Sequence, residues 1–274
     1  MHQTLLAVDK EESGFKLTFR DSTVHANKII VASGGSPKKE GFNWLEKLGH
    51  TIVSPVPSLF TFNMPDEPIK SLMGVSVDNA SVRVTGTGLK NEGPLLITHW
   101  GMSGPAILKL SAWGARILSD MNYTFKIQVN WLGQINEDEA RKILQDEVSA
   151  HPKRKLSNLE SFKLPNRLYL FQLEKLGISP DISIVELDKK NKNRLLNALL
   201  NDEYKVEGKT TFKEEFVTCG GISLDNVSID TMESKVCPGM YFAGEVLDID
   251  GVTGGFNFQA AWTTVFIAGK NSAI

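Results

Sequence analysis

The stretch that most constrains this chain runs from Met240 to Ala268. A short apolar run over 240–243 is followed by Gly244-Glu245, a glycine-dense loop over 251–255, and an apolar, helix-periodic segment over 258–268. A strand that ends in a glycine-rich loop opening a helix directs free backbone N–H groups at one spot. The helix dipole makes that spot favourable for anionic or electron-rich groups. Glycine there permits close approach of a ligand and positive φ without a Cβ clash. The pattern predicts a site for a flat, partly anionic cofactor.

The residues around the loop sharpen this. Glu245, Asp248 and Asp250 lie just before it, and Phe256-Asn257 just after. A carboxylate beside a strand end can accept hydrogen bonds from polyol or ribose hydroxyls, and N–H groups at a helix start can stabilise charge on a phosphate or a reduced ring. The acidic residues lack the spacing and terminal glutamate of a calcium loop, so no metal site is expected. A second strand, 28–32, ends in Ala32-Ser33-Gly34-Gly35, which reads equally as an ordinary strand-to-loop turn. A G-x-G-x-x-G fingerprint is missing from the N-terminal third. Gly34-Gly35 and Gly86-Thr87-Gly88 lack the third glycine and the helix that should follow. The expectation is a chain that starts after its first dinucleotide-binding unit.

Composition bounds the function classes. A length of 274 residues, 41% of them hydrophobic, suits about two domains. Lys+Arg 30 against Asp+Glu 32 gives a net charge of −2, from which no nucleic-acid partner and no anionic membrane surface are expected. The basic runs at 153–155 and 189–194 read as solvated faces. Cys219 and Cys237 show no C-x-x-C spacing, and Cys219 reads as a small buried hydrophobe, which suits a reducing cytoplasm. No apolar run approaches 18 residues, so no membrane span is expected.

Periodicity then orders the elements. Residues 3–35 alternate as a small meander, with 28–32 as a strand buried on both faces and expected beside 240–243 in one largely parallel sheet. Residues 42–50 suggest a short helix capped by Gly49, and Ser54-Pro55-Val56-Pro57 a stiff crossing between domains. Strands are expected at 59–62, 75–77, 81–84, 95–98 and 125–131, as in a small barrel or sandwich, with one helix over 106–118 opened by Pro105. Asn136 caps a helix that His151-Pro152 stops. Further helices cover 167–176, ending at Gly177, and 188–200. Strands at 212–217 and 221–224 lead back to the glycine loop.

His99-Trp-Gly-Met-Ser-Gly-Pro105 resembles a nucleophile elbow only superficially, because Pro105 stands where the last glycine is needed. Ser103 reads as an N-cap. His99, beside an aromatic at a strand end, reads as a buried structural histidine or a proton donor. His2 and His151 carry nothing beyond exposure.

Several motifs together resemble the BaiN-like, or aminoacetone-oxidase-like, flavoproteins. They are Val31-Ala-Ser-Gly-Gly35, Ile97-Thr-His-Trp-Gly-Met-Ser-Gly-Pro-Ala106, Phe216-Val-Thr-Cys-Gly-Gly-Ile222, Thr231-Met-Glu-Ser-Lys235, Pro238 to Gly251, and Thr253 to Trp262. The likeness runs over essentially the whole chain. It implies an α/β fold with a discontinuous Rossmann-type FAD-binding domain, incomplete at the N-terminus, formed by 1–56 and 207–274. Around 57–206 it implies an insert, β-barrel-like over 57–133 and helical over 134–206. FAD would lie against Ala32, Ser33, Gly34 and Gly35 on its ADP half. Gly244 and Glu245, with Asp250 nearby, would face the pyrophosphate and ribityl chain, and Gly254, Gly255, Phe256 and Asn257 the pyrimidine edge. The implied activity is reduction of a small unsaturated or carbonyl compound with NAD(P)H as electron donor, or amine oxidation, with His99 as candidate proton donor. The competing expectation is a non-catalytic remnant that self-associates or binds a complementing N-terminal fragment.

Overall fold

A computed structural model describes residues 4–210 and 217–273. The chain forms two compact units, one from 1–59 with 212–274 and one from 60–211. His2, most of the strand expected at 212–217, and Phe216 lie outside the described residues.

The first unit opens with an antiparallel meander, β1 (Leu5–Glu11), β2 (Gly14–Phe19) and β3 (Thr23–Ala26). Phe15 of β2 is buried and carries Lys10 over its ring. Strand β4 (Ile29–Val31) follows, and then the short helix α1 (Asn43–Lys47), which buries Leu45. Gly49 lies one residue beyond the Leu48 cap. The proline-rich crossing proves to be a strand, β5 (Ile52–Ser58). Its prolines leave enough N–H groups for an antiparallel pairing that will involve Thr218 and Cys219.

The second unit is a seven-stranded antiparallel sheet curled around an apolar core, together with a helical part. Its strands begin with β6 (Thr61–Asn63), β7 (Ser76–Val84), β8 (Lys90–Ile97) and β9 (Gly101–Ser103). The two short strands expected at 75–77 and 81–84 are one element, β7, with a bulge between Val77 and Ala80. Ser103 belongs to β9 and is not the expected cap. Gly104, at φ 91, occupies the N-cap without a side-chain bond. The expected single helix is two, α2 (Pro105–Trp113) and α3 (Ala115–Asp120), divided at Gly114. A Cβ at Gly114 would stand 2.6 Å from Leu89 Cδ1, so a larger residue there would displace the Leu89 side chain.

Strand β10 (Thr124–Asn130) leads to the helices. Helix α4 (Glu137–Ala150) starts with the anticipated cap: Asn136 accepts from the Glu139 N–H at 3.0 Å, and Glu139 accepts from the Asn136 N–H at 2.9 Å. Helix α5 (Asn166–Leu176) ends on Gly177 at φ 66, and α6 (Lys189–Leu200) starts at the Asp188 cap. Leu144, Leu156, Leu173, Ile184, Leu195 and Leu199 form the core of this helical part. Strands β11 (Asp202–Glu207) and β12 (Lys209–Thr210) complete the sheet, in the order β11-β10-β7-β8-β9-β6-β12.

The chain returns to the first unit in β13 (Val217–Ile222), paired antiparallel with β5. Strand β14 (Met240–Phe242) then runs parallel to β4, with Met240 opposite Ile29 and Phe242 opposite Val31. These are the neighbours the sequence suggested, but the strand at 28–32 is not buried on both faces. Ile30 is 40% exposed and only Val31 of β4 is buried. Helix α7 (Phe256–Ser272) buries Thr264 and Ala268 and packs on β14 and β4.

Candidate functional site

The first unit brings two loops and a strand together. Residues 32–35 leave the end of β4, and Gly244-Glu245 leave the parallel end of β14, since parallel strands carry their following loops to the same edge. Strand β13 presents Thr218 to both. A Cβ built on Gly35 would stand 2.9 Å from Thr218 Oγ1 and 3.5 Å from Glu245 Oε2. Gly34 and Gly244 adopt positive φ of 77 and 76, conformations that favour glycine. Ala32 and Ser33 are exposed at the start of this loop.

The polar groups here are unevenly satisfied. The Thr218 side chain is 1% exposed, and its hydroxyl has no hydrogen-bond partner. A buried hydroxyl without a partner is costly, and a ligand hydroxyl or phosphate oxygen would relieve it. Burial pushes the Glu245 carboxyl above the usual carboxylate range, and the negative Asp250 adds to that. Asp250 itself accepts from Ser58 Oγ at 2.8 Å. A protonated Glu245 can both donate and accept, which suits a polyol.

The glycine loop is held from behind. Asn257 accepts from the Gly251 N–H at 2.7 Å and donates back to the Gly251 carbonyl at 3.0 Å. The Thr264 hydroxyl of α7 accepts from the Gly244 N–H at 2.9 Å, which ties the loop after β14 to the helix. Gly254 and Gly255 stand at φ 120 and 86, and Gly255 is the N-cap of α7 without a side-chain cap bond. Nothing lies within 4 Å of a Cβ built on Gly255. Phe256 is 58% exposed beside them. The first turn of α7 therefore opens its N–H groups onto free space lined by glycine.

Orphaned hydroxyl, glycine cradle and uncapped helix start fit a flavin: polyol contacts at one end, a flat ring and partial negative charge at the other. Of the expected site residues, Gly35 and Glu245 share one spot with Thr218, and Asp250 couples to Glu245 electrostatically. Gly254, Gly255 and Phe256 form the helix entrance, and Asn257 turns inward to clamp the loop. His99 belongs to the other unit, in the turn between β8 and β9. It is exposed, with its ring 4.0 Å from that of Trp100 in an edge-on arrangement, so the buried structural reading is corrected. Thr218 and Ser58 were missed. The run Thr218-Cys219-Gly220-Gly221 signals a special backbone, yet nothing in it shows that the hydroxyl lacks a partner.

Two expectations follow from this geometry. Thr218→Val removes the orphaned hydroxyl at equal volume. The cofactor-free protein is expected to melt at or above the wild-type temperature while flavin affinity falls about tenfold, the worth of one hydrogen bond. Titration calorimetry and thermal melts check both halves. Glu245→Gln addresses pH. A carboxyl whose value is raised by folding stabilises fully below its ordinary value of 4.5 and loses that contribution as pH rises through the raised one. Melts of the cofactor-free proteins should therefore coincide at low pH, with Glu245→Gln the more stable as pH climbs above 4.5.

The fold defines a mixed α/β protein carrying a barrel-like sheet and a helical part, inserted between the two stretches of chain that form the first unit. Residues 56–217 match the family described as HI0933-like protein barrel and H2TH domain, and the chain belongs to that family. It is similar to the ribosomal RNA dihydrouridine synthase of Escherichia coli, 30% identical over 281 residues, which cover 99% of this chain and 67% of that protein. The enzyme of the same name from Haemophilus influenzae is 31% identical, over 93% of this chain and 63% of its own length. The 3-dehydro-bile acid delta(4,6)-reductase of Clostridium scindens is 26% identical, over 97% of this chain and 67% of its own. The chain thus spans about two thirds of the length of the curated relatives it matches.

These relatives correct two expectations. The expected small organic substrate is contradicted by the two synthases, which are named for ribosomal RNA. The exclusion of nucleic acid fails for a physical reason. A net charge of −2 sums the whole chain, whereas phosphate contacts depend on local cations. Among the described residues, no helix is long and apolar enough to cross a membrane, and no group of residues is arranged to hold a metal ion.

Proposed function

We propose that this chain acts in a flavin-dependent enzyme that reduces a uridine of ribosomal RNA to dihydrouridine. The observation that carries the reading is the 30% identity to the Escherichia coli synthase along 99% of this chain. The reduction adds hydride at C6 of the uracil ring, conjugated to the C4 carbonyl, and a proton at C5. A reduced flavin supplies the hydride when bound, with a nicotinamide nucleotide as the donor that the family resemblance implies.

The chain's own residues would divide the remaining work. Gly34, Gly35, Thr218 and Glu245 would take the hydroxyls and phosphates of FAD, with Ala32 and Ser33 at the ADP side and Asp250 biasing Glu245 toward its neutral form. Gly254 and Gly255 would give the ring its approach, and the N–H groups that open α7 would favour negative charge at its pyrimidine edge. Phe256 would exclude water from one side, and Asn257 would keep the loop in shape. His99, exposed in the turn between β8 and β9, is the proposed proton donor. A uracil within a duplex hides its C5–C6 bond in the stack, so the substrate base would be unpaired or extruded.

Comparing ribosomal RNA from cells with and without the gene tests this reading. Mass spectrometry of nuclease digests should find a dihydrouridine that vanishes on deletion and returns with the wild-type gene. Unchanged dihydrouridine content after deletion would remove the proposal. His99→Ala should slow single-turnover flavin reoxidation by RNA, and an unaltered rate would take His99 out of the chemistry.

A further inference from the structure

We infer that His50 is an acid-sensitive latch, which in its neutral form holds the segment 232–239 against β14 and on protonation lets it go. His50 is buried just beyond α1, with its ring nearly perpendicular to that of Phe242 in β14 and 5.1 Å from it. Its Nδ1 stands 3.1 Å from the Leu45 carbonyl oxygen and its Nε2 2.8 Å from Ser234 Oγ. A carbonyl only accepts, so Nδ1 carries the proton, and Nε2 of the neutral ring is left as an acceptor.

Ser234 fixes the rest of the arrangement. It is buried, and its oxygen accepts from the Cys237 N–H at 2.8 Å and the Val236 N–H at 3.2 Å. Those bonds occupy both lone pairs, so the hydroxyl hydrogen goes to His50 Nε2. A second proton on the imidazole would set N–H against O–H and bury a cation. Ser234 could turn to accept from Nε2 only by releasing a backbone N–H, and a buried donor left without an acceptor is costly.

The segment that Ser234 anchors is the outer neighbour of β14. Glu233 bridges Tyr241 antiparallel, on the edge of β14 that β4 leaves free. The Ser234 N–H donates to the Met240 carbonyl at 2.7 Å, and the Phe242 N–H to that of Met232 at 2.9 Å. The Ile29 N–H of β4 donates to the Gly239 carbonyl at 3.0 Å. Gly244 and Glu245 follow β14 directly, so the same proton would loosen the loop proposed to hold flavin.

The charged and titratable groups of the surrounding elements are engaged elsewhere. On α1, Glu46 pairs with Lys39 at 3.0 Å, and Lys47 is exposed. In the segment, Glu233 accepts from the Gly239 N–H at 2.8 Å, and Lys235 donates to the Asp225 carbonyl at 3.2 Å. Burial pushes the Cys237 thiol up, and Lys10 of β1 donates to the Pro238 carbonyl at 2.9 Å. Tyr241 of β14 donates to the Asn271 carbonyl at 3.4 Å. Burial holds the His50 imidazole below its ordinary value of 6.5, against the opposing pull of the Leu45 bond. The unfolded chain takes up the proton first, so the latch is at full strength above 6.5 and weakens as pH falls from there toward the lowered value.

The test follows the full wild-type chain, isotope-labelled at histidine nitrogen, by nuclear magnetic resonance and amide exchange over a pH series that brackets 6.5. His50 should show the Nδ1–H tautomer and titrate below 6.5. Protection factors of the Ser234, Cys237 and Phe242 amides should fall by up to about tenfold per pH unit in that window, while amides of β7 and β10 keep theirs. His50→Gln can accept from Ser234 and donate to Leu45 without titrating, so its protection factors should stay level. An Nε2–H tautomer, or a midpoint at or above 6.5, would overturn the arrangement. Titration of His50 with unchanged protection would overturn the latch, as would an undiminished pH dependence in His50→Gln. If that variant does not fold, the wild-type titration and exchange decide alone.

Discussion

Gly255→Val is expected to deprive the protein of flavin while leaving it folded. Gly255 sits at φ 86 as the N-cap of α7, and a Cβ there would touch no protein atom. Valine therefore meets no protein atom at its Cβ, and its cost to the fold is the strain of a β-branched residue at positive φ, about 1–3 kcal/mol. On the proposed placement of the ring, valine fills the space the ring would occupy, so flavin affinity should fall by about 100-fold or more. Gly254→Val should act in the same direction with a larger cost to the fold. Its φ is 120 and its Cβ would stand 3.4 Å from the Phe256 ring. Circular dichroism and flavin absorbance per protein separate the two effects. Both variants retaining a full complement of flavin would contradict the placement of the ring at this loop.

The second large effect belongs to stability. Asp202 is 3% exposed, and its carboxylate gathers four donors: Trp131 Nε1 at 2.9 Å, Gln172 Nε2 at 2.5 Å, Lys175 Nζ at 2.6 Å, and the Tyr204 hydroxyl. These come from the end of β10, from α5 and from β11, so one side chain joins the sheet to the helical part of its unit. Burial and the negative Asp202 push the Tyr204 hydroxyl well above its usual range, which keeps it a donor. Asp202→Ala would leave buried donors without an acceptor and Lys175 without its partner. The expected cost is about 3–5 kcal/mol, a fall in melting temperature on the order of 10 °C. Asp202→Asn should recover little of it, because an amide nitrogen would face donors. A melting temperature within a degree or two of wild type for Asp202→Ala would show that the network adds little.

Where backbone rules act locally, the sequence announces the structure. Asn136 with Glu139, Asp188, and Gly177 mark helix ends within a few residues, and 240–243 beside 28–32 reads as a parallel pair because apolar runs ending in glycine leave few alternatives. Strand β11 escapes notice because Asp202 occupies an inward position. The alternation of Asp202, Tyr204 and Val206 with Glu203, Lys205 and Glu207 is thereby disguised as polar sequence. Strand β9 is three residues long and lies inside a segment that resembles a loop before a helix. The proline-rich β5 carries the composition of a linker.

The candidate site was legible in its glycines and carboxylates, because their chemistry is written in residue type and order. Thr218 was not, since a missing hydrogen bond is a property of three-dimensional surroundings. The exclusion of nucleic acid failed for a related reason. Net charge is a sum over the chain, and the charges that a partner meets are set only when the fold brings residues from distant parts of the chain together.

The central claim is that flavin bound by this chain reduces uridine in ribosomal RNA. An anaerobic single turnover tests it most directly: the flavin-loaded chain is reduced beforehand and mixed with ribosomal RNA that lacks dihydrouridine. Flavin absorbance is followed while the RNA is digested and weighed by mass spectrometry. The account predicts that oxidised flavin and dihydrouridine appear together and in equal amounts. Flavin that stays reduced, or that reoxidises with no dihydrouridine formed, would contradict it.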